Sequence, residues 1–236
     1  MEKRRIFVDM DGTLAVFKPV EQLEVLYEEN YFKNLLPQEN VLQATRNLIQ
    51  NYPDVEVYVL SAYLSDSAYA LHEKNEWLDQ FLPEVDSAHR VFVPCGEDKS
   101  AYVPGELRPD DYLLDDYTVN LNAWEPPARG IKLMNGINGT HGTWQGSKIS
   151  FARKPEEMAT LIHSAVCDNV GIQDVVSVSP EMSRERLSEI ASKAIDGLVE
   201  DGEEEALEYI NDTLELTEEE KEYFGVAELE RTISIR

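Results

Sequence analysis

Cysteine is nearly absent from this chain: Cys95 and Cys167 are the two among 236 residues. They form neither a disulfide framework nor a metal-ligand pair, so a reducing cytoplasm is the simplest compartment. Long apolar runs are missing too. Hydrophobic residues make up 42% of the chain, but no run approaches the ~20 residues of a membrane span. The basic start, Met1-Glu2-Lys3-Arg4-Arg5, leads into a strand-like stretch with Asp9 embedded, which is not the apolar core of a signal peptide. Basic residues are scarce, with 21 Lys and Arg against 46 Asp and Glu and a net charge of −25. That balance argues against binding nucleic-acid polymers. It leaves room for a small phosphorylated substrate, because one Mg²⁺ and one lysine reverse a local field.

What is present alternates between strand and helix. Ile6 to Val8, Val55 to Leu60, Arg90 to Val93, Asp111 to Leu114 and Gly130 to Met134 read as strands. Val20 to Tyr31, Glu39 to Asn51, Asp66 to Phe81 and Lys154 to Asn169 read as helices. Short β-rich runs separated by helices imply an α/β fold, with a parallel sheet between helical layers. From Val176 onward the character changes: 18 acidic and 6 basic residues accompany an apolar stripe at helical spacing. The expected organisation is a core over 1–175 and an acidic helical appendage over 176–236, whose plainest reading is a solvated charged face over a small core.

In parallel sheets, ligands bind beyond the carboxyl ends of the strands. Asp9, Asp11, Ser61, Asp115 and Asp116 all fall at such ends. In Asp9-Met10-Asp11-Gly12 the two carboxylates, two residues apart, face one side of an extended chain. Phosphoryl transfer without a nucleotide cofactor needs a nucleophile, a proton donor and acceptor, a metal and neutralising contacts to phosphate. Asp9 is the candidate nucleophile, and Asp11 the acid and base. Asp115 and Asp116, with Asp9, are candidate ligands for Mg²⁺, a cation that prefers oxygen donors. Ser61 and Lys99 are candidate phosphate donors.

Four stretches in this order, Asp9-x-Asp11-Gly12-Thr13, Val59-Leu60-Ser61, Asp98-Lys99-Ser100 and Leu113-Leu114-Asp115-Asp116, resemble the motifs of the haloacid dehalogenase (HAD) superfamily. A closer resemblance is to the 5'(3')-deoxyribonucleotidases. It rests on Leu14-Ala15 and Phe17 after the first motif, on Glu73-Lys74 with Trp77 and Gln80, and on Trp124-Glu125. It covers about the first two thirds of the chain and leaves out the acidic appendage. It implies a Rossmann-like core, Mg²⁺, an aspartyl-phosphate intermediate and a nucleoside monophosphate substrate. It also implies the Asp11 backbone carbonyl as a metal ligand and Ala62 beside Ser61 as a phosphate contact. A cap insertion is implied over about 16–37, with Phe17, Tyr31 and Phe32 where that family stacks the base. The cap is short, and Ala62 lacks the hydroxyl the family carries there.

Several alternatives stay open on sequence alone. Asp115-Asp116 is either a metal pair or a helix cap. Phe17, Tyr31 and Phe32 are either cap core or a base platform. His141 and Trp144 lie in a Gly- and Asn-rich loop that either folds over the site or stays on the surface. The substrate could instead be a sugar phosphate, and the core could serve as a regulatory module without turnover.

Overall fold

Six strands form one all-parallel sheet in the order β3-β2-β1-β4-β5-β6. They are β1 (Arg4–Val8), β2 (Val55–Tyr63), β3 (Arg90–Pro94), β4 (Tyr112–Asp115), β5 (Arg129–Met134) and β6 (Ser147–Ser150). The helices are α1 (Glu39–Asn51), α2 (Ala70–Phe81), α3 (Thr118–Ala123) and α4 (Pro155–Asp168). The structure is a computed structural model that describes residues 3–17, 20, 22–124, 129–135, 137 and 144–173. The acidic stretch 176–236 lies outside the described residues, as do Glu125 and His141. Among the described residues, no helix is long and apolar enough to cross a membrane.

The sheet is buried on both faces, which is why its strands read as continuous apolar runs. Alternate residues of β1 serve opposite layers. Ile6 and Val8 pack with Val41, Leu42 and Leu48 of α1, Trp77 and Leu78 of α2, and Met158 and Ile162 of α4. Phe7 packs on the other face with Tyr58, Leu113, Leu121, Trp124 and Trp144. The result is a three-layer α/β fold of Rossmann-like strand order. In α1, the buried Val41, Leu42, Thr45 and Leu48 recur at helical spacing, and the helix occupies the residues its periodicity predicts. In α4, Pro155 stands at the first turn with Glu156 and Glu157, and Asn169 ends the helix in the left-handed conformation at φ 61°.

Several elements differ from the sequence reading, and the short helix α3 has no counterpart in it. The Val20 to Tyr31 stretch forms only a 3₁₀ turn, Leu23–Tyr27. The amides of Asn30, Phe32 and Lys33 are taken by the buried Glu73 carboxylate of α2, so they are not available to a helix. α2 starts at Ala70 rather than Asp66, where the Ser67 hydroxyl accepts from the amides of Tyr69 and Ala70. β2 runs on to Tyr63 because β3 pairs with it as far as Pro94. β6 carries no apolar run beyond Ile149; it adds to the sheet through backbone pairing with β5. Trp144 is neither over the site nor at the surface. It is buried on the second face against Gly130 and Gly146, and its indole N–H donates to the Ser147 carbonyl at 2.9 Å.

A buried ion pair fixes the approach to β4. The Arg5 guanidinium donates to both Asp111 carboxylate oxygens, at 2.8 and 2.5 Å, and to the carbonyls of Pro104 and Glu106. Both side chains are buried. Removing one partner strands the other charge in the interior, which typically costs about 3–5 kcal/mol. Asp111→Ala is therefore expected to lower unfolding free energy by about that amount in urea denaturation, while a paired Arg5→Met/Asp111→Leu variant loses less.

Candidate active site

β1 and β4 are neighbours although β2 and β3 lie between them in sequence. This is the switch point of the topology, where α/β sheets open a crevice. The register pairs Val8 with Leu114, and the Asp9 amide donates to the Leu114 carbonyl at 2.9 Å. Asp9 and Asp115 thus emerge side by side. The carboxylates of Asp9, Asp115 and Asp116 lie within 4.8 Å of one another, all buried.

Such crowding needs compensation. Lys99 opens a 3₁₀ turn (Lys99–Tyr102) capped by Asp98, whose carboxylate accepts from the Ser100 amide at 2.9 Å. Its buried ammonium bridges Asp9 Oδ1 at 2.6 Å and Asp115 Oδ2 at 2.7 Å. Burial pushes the Asp9 carboxyl well above the usual carboxylate range. Asp115, Asp116 and Asp11 push the same way, and Lys99 only partly opposes them. Burial would lower Lys99, but Asp115 and Asp9 outweigh it and hold the ammonium above its ordinary value. Even with this lysine in place, the cluster keeps excess negative charge.

Asp115 is further held by the Tyr117 amide at 2.7 Å and the Asn120 side chain at 2.9 Å. The helix-cap alternative is not realised: Tyr117 is the N-cap of α3 without a side-chain cap, and Asp115 braces the turn before it while facing Asp9. Asp116 accepts from Asn135 at 2.9 Å and from the Thr13 hydroxyl at 3.4 Å. Asn135 also donates to the Gly12 carbonyl at 2.7 Å. The ammonium of the fully buried Lys132, on β5, donates to the Asp116 carbonyl. Burial lowers its pKa against the opposing pull of Asp116 and Asp115.

Asp11 stands slightly apart. Its Oδ2 accepts from the Lys74 ammonium at 2.5 Å, and Lys74 also donates to the Ser61 hydroxyl at 3.0 Å. Its Oδ1 is buried without a hydrogen-bond partner among the described residues. Ser61 is fully buried. β1 ends opposite Val59, so Ser61 lies two residues beyond it, level with the carboxylates. Ala62 is half-buried and paired with Val93 inside β2; only its backbone is polar.

The 16–37 segment closes on itself. Ala15 bridges Pro37, and the Val16 amide donates to the Leu36 carbonyl at 2.8 Å. α2 docks it: besides Glu73, the Trp77 indole donates to the Leu35 carbonyl at 2.7 Å. Phe17, Tyr31 and Phe32 form one aromatic group, with Phe17 stacked parallel to Phe32 at 6.5 Å and edge-on to Tyr31 at 6.2 Å. Phe32 is buried, and its ring sits 4.8 Å from the Lys74 ammonium. Tyr31 lies close enough to Asp11 for that carboxylate to help burial raise the phenol's pKa.

The structure thus brings Asp9, Asp11, Ser61, Lys99, Asp115 and Asp116 to one crevice, with the three aromatics beside it. Sequence reasoning gave no role to Lys74, Lys132, Asn135 or Thr13. Lys74 enters the sequence reading only through the resemblance; the physical signal for it is a lysine on the helix face of Ala70, Trp77 and Leu78.

Three buried carboxylates converging with only oxygen donors fit a hard divalent cation. No protein-family model matches the chain. A Staphylococcus epidermidis protein named "Putative 5'(3')-deoxyribonucleotidase" is 28% identical, over 58% of this chain and 88% of its own length. A Staphylococcus aureus protein of the same name is 31% identical, over 39% of this chain and 44% of its own. A solved structure described as a "putative had-like phosphatase" from Mesorhizobium loti superposes with a TM-score of 0.41 at 12% identity, over 74% of this chain and 90% of its own. In sequence the chain is thus similar to proteins named putative 5'(3')-deoxyribonucleotidases.

Gly12 makes the turn that folds the segment after Asp9 over the site. It sits at φ 83°, where an L side chain is strained, and an added Cβ would collide with the Asp116 carboxylate. Gly12→Ala is expected to cost at least about 1 kcal/mol in a denaturant melt and to displace Asp116. Its divalent-cation affinity, measured by calorimetry, is expected to fall more than its stability does.

Proposed function

We propose that the chain is a Mg²⁺-dependent phosphomonoesterase that hydrolyses nucleoside monophosphates, with Asp9 as the nucleophile. The observation that carries this is the division of partners between the two carboxylates. Asp9 is held by Lys99 within the buried cluster, whereas Asp11 is held by Lys74 and keeps one oxygen without a partner among the described residues. Two carboxylates in different surroundings suit two roles.

Mg²⁺ would be held by Asp9, Asp115, Asp116 and the Asp11 backbone carbonyl, and when bound it would neutralise phosphoryl oxygens. Asp9 attacks phosphorus, forming a carboxylate–phosphorus bond as the ester oxygen leaves. Asp11 gives its proton to that oxygen, and then takes one from the water that releases phosphate. Lys99 and Lys74 offer point charges for the phosphoryl oxygens, and Ser61 offers a hydroxyl. The backbone of Ala62 is the remaining candidate contact, in place of the missing side-chain hydroxyl. The aromatic group of Phe17, Tyr31 and Phe32, beside Asp11 and Lys74, supports a flat base as the leaving side of the substrate. The names of the staphylococcal relatives support the same substrate class. Such an enzyme would work in the cytoplasm.

Asp9→Asn is expected to reduce phosphate release from nucleoside monophosphates by about 10³-fold or more with an unchanged melting temperature. Full activity in that variant would remove the covalent mechanism. Phe17→Ala is expected to lower kcat/KM for nucleotides about tenfold, a loss of about 1.4 kcal/mol of stacking, and to leave hydrolysis of a small sugar phosphate unchanged. Equal losses on both substrates would favour the sugar-phosphate reading.

A further inference from the structure

A second group of donor atoms lies away from the carboxylate crevice. Asp54, His163 and Cys167 place a carboxylate oxygen, an imidazole nitrogen and a sulfur within 4.8 Å of one another. We infer that these three residues form a binding site for a borderline-soft divalent cation of the Zn²⁺ class, independent of the candidate active site. His163 and Cys167 are four residues apart on α4, so they share one face of the helix. That spacing presents paired ligands to a tetrahedral metal. Asp54 joins them from the turn that enters β2.

The distances suit such an ion. His163 Nε2 lies 3.0 Å from Asp54 Oδ2, and Cys167 Sγ lies 3.4 Å from the same oxygen. Ligand atoms around a tetrahedral Zn²⁺ with bonds of 2.0–2.3 Å stand roughly 3.3–3.7 Å apart. Small side-chain rotations therefore suffice. The nitrogen, oxygen and sulfur donor set selects Zn²⁺ over Mg²⁺, which prefers oxygen alone.

The ligands are also held in place. The Asp54 carbonyl accepts from the Arg4 amide at 3.0 Å, tying the turn to the sheet. The Tyr52 ring lies 4.3 Å from the His163 ring, and the Tyr52 hydroxyl is 3.1 Å from the Thr160 hydroxyl on the same helix. Asp54 is exposed, which gives an ion a route from solvent and leaves a fourth position for water. A nucleophile–base pair is the competing reading of Cys and His together. The Cys167 thiol donates to Asp54 rather than to His163, so the imidazole is not placed to take its proton. Metal binding releases that proton and turns the thiol into a thiolate ligand.

Co²⁺ added to the full chain tests this, because a thiolate-to-cobalt band reports sulfur ligation directly. One equivalent is expected to produce the band in the wild type, in Cys95→Ser and in Asp9→Asn. The band is expected to vanish in Cys167→Ser, to fall sharply in His163→Ala, and to be displaced by Zn²⁺ but not by excess Mg²⁺. Zn²⁺ is expected to raise the melting temperature of the wild type and not that of Cys167→Ser. No band in the wild type overturns the site, as does a band that survives Cys167→Ser or is lost in Cys95→Ser or Asp9→Asn.

Discussion

Four carboxylates meet at the carboxyl ends of the central strands, and everything around them serves to make that tolerable. Asp9, Asp11, Asp115 and Asp116 are answered by three buried lysines, each from a different element. Lys74 comes from α2, Lys99 from the turn before β4, and Lys132 from β5. Lys74 and Lys99 each meet a carboxylate, whereas Lys132 donates to the Asp116 backbone carbonyl. Burial first, and then the neighbouring Asp115, Asp116 and Asp11, make Asp9 hold its proton more tightly than an ordinary carboxyl, against the pull of Lys99. A divalent cation held there would offset the crowded carboxylates and favour the Asp9 anion.

α2 joins this electrostatic problem to the shape of the crevice. Successive residues on it have separate tasks: Glu73 captures three amides of the 16–37 segment, and Lys74 faces Asp11 and Ser61. One turn on, Trp77 fills the core and pins Leu35. The backbone at Asn30, Phe32 and Lys33 is thus held by a buried carboxylate. Phe32 lies against the Lys74 ammonium, so the aromatic group and the lysine that pairs with Asp11 are positioned together. A change in cap packing would therefore reach the chemistry through Lys74.

Much of this was legible in the chain. The apolar strands announced the sheet, since a parallel sheet buried on both faces leaves strong runs. The acidic residues at their ends announced the crevice, because topology alone collects strand ends. Lys99 was legible by its place before Leu113-Leu114-Asp115-Asp116, although the turn that holds it has no periodicity. Elements that depend on distant partners were not legible. β6 exists through its pairing with β5, and the Val20 to Tyr31 stretch loses its helix to Glu73. Trp144 is drawn inward by the space two glycines leave. Asn135 and Lys132 touch Asp116 only because β5 lies beside β4.

The two ends of the parallel sheet carry different burdens. At the carboxyl end the backbone opens and side chains of one charge crowd together, a state that favours reactivity over stability. At the amino end Arg5 closes on Asp111, and Asp54 faces α4 across more than a hundred residues of chain. A cation held by Asp54, His163 and Cys167 would join the entry of β2 to the helix that covers the first face of the core. It would act on a chain that α1 and α4 already pack, so its effect belongs to stability rather than to the reaction. The donor sets keep the two sites apart: oxygen alone in the crevice, nitrogen and sulfur at the far end. Were both groups to hold ions, their donor sets would favour a hard cation in the crevice and a softer one at Asp54, His163 and Cys167.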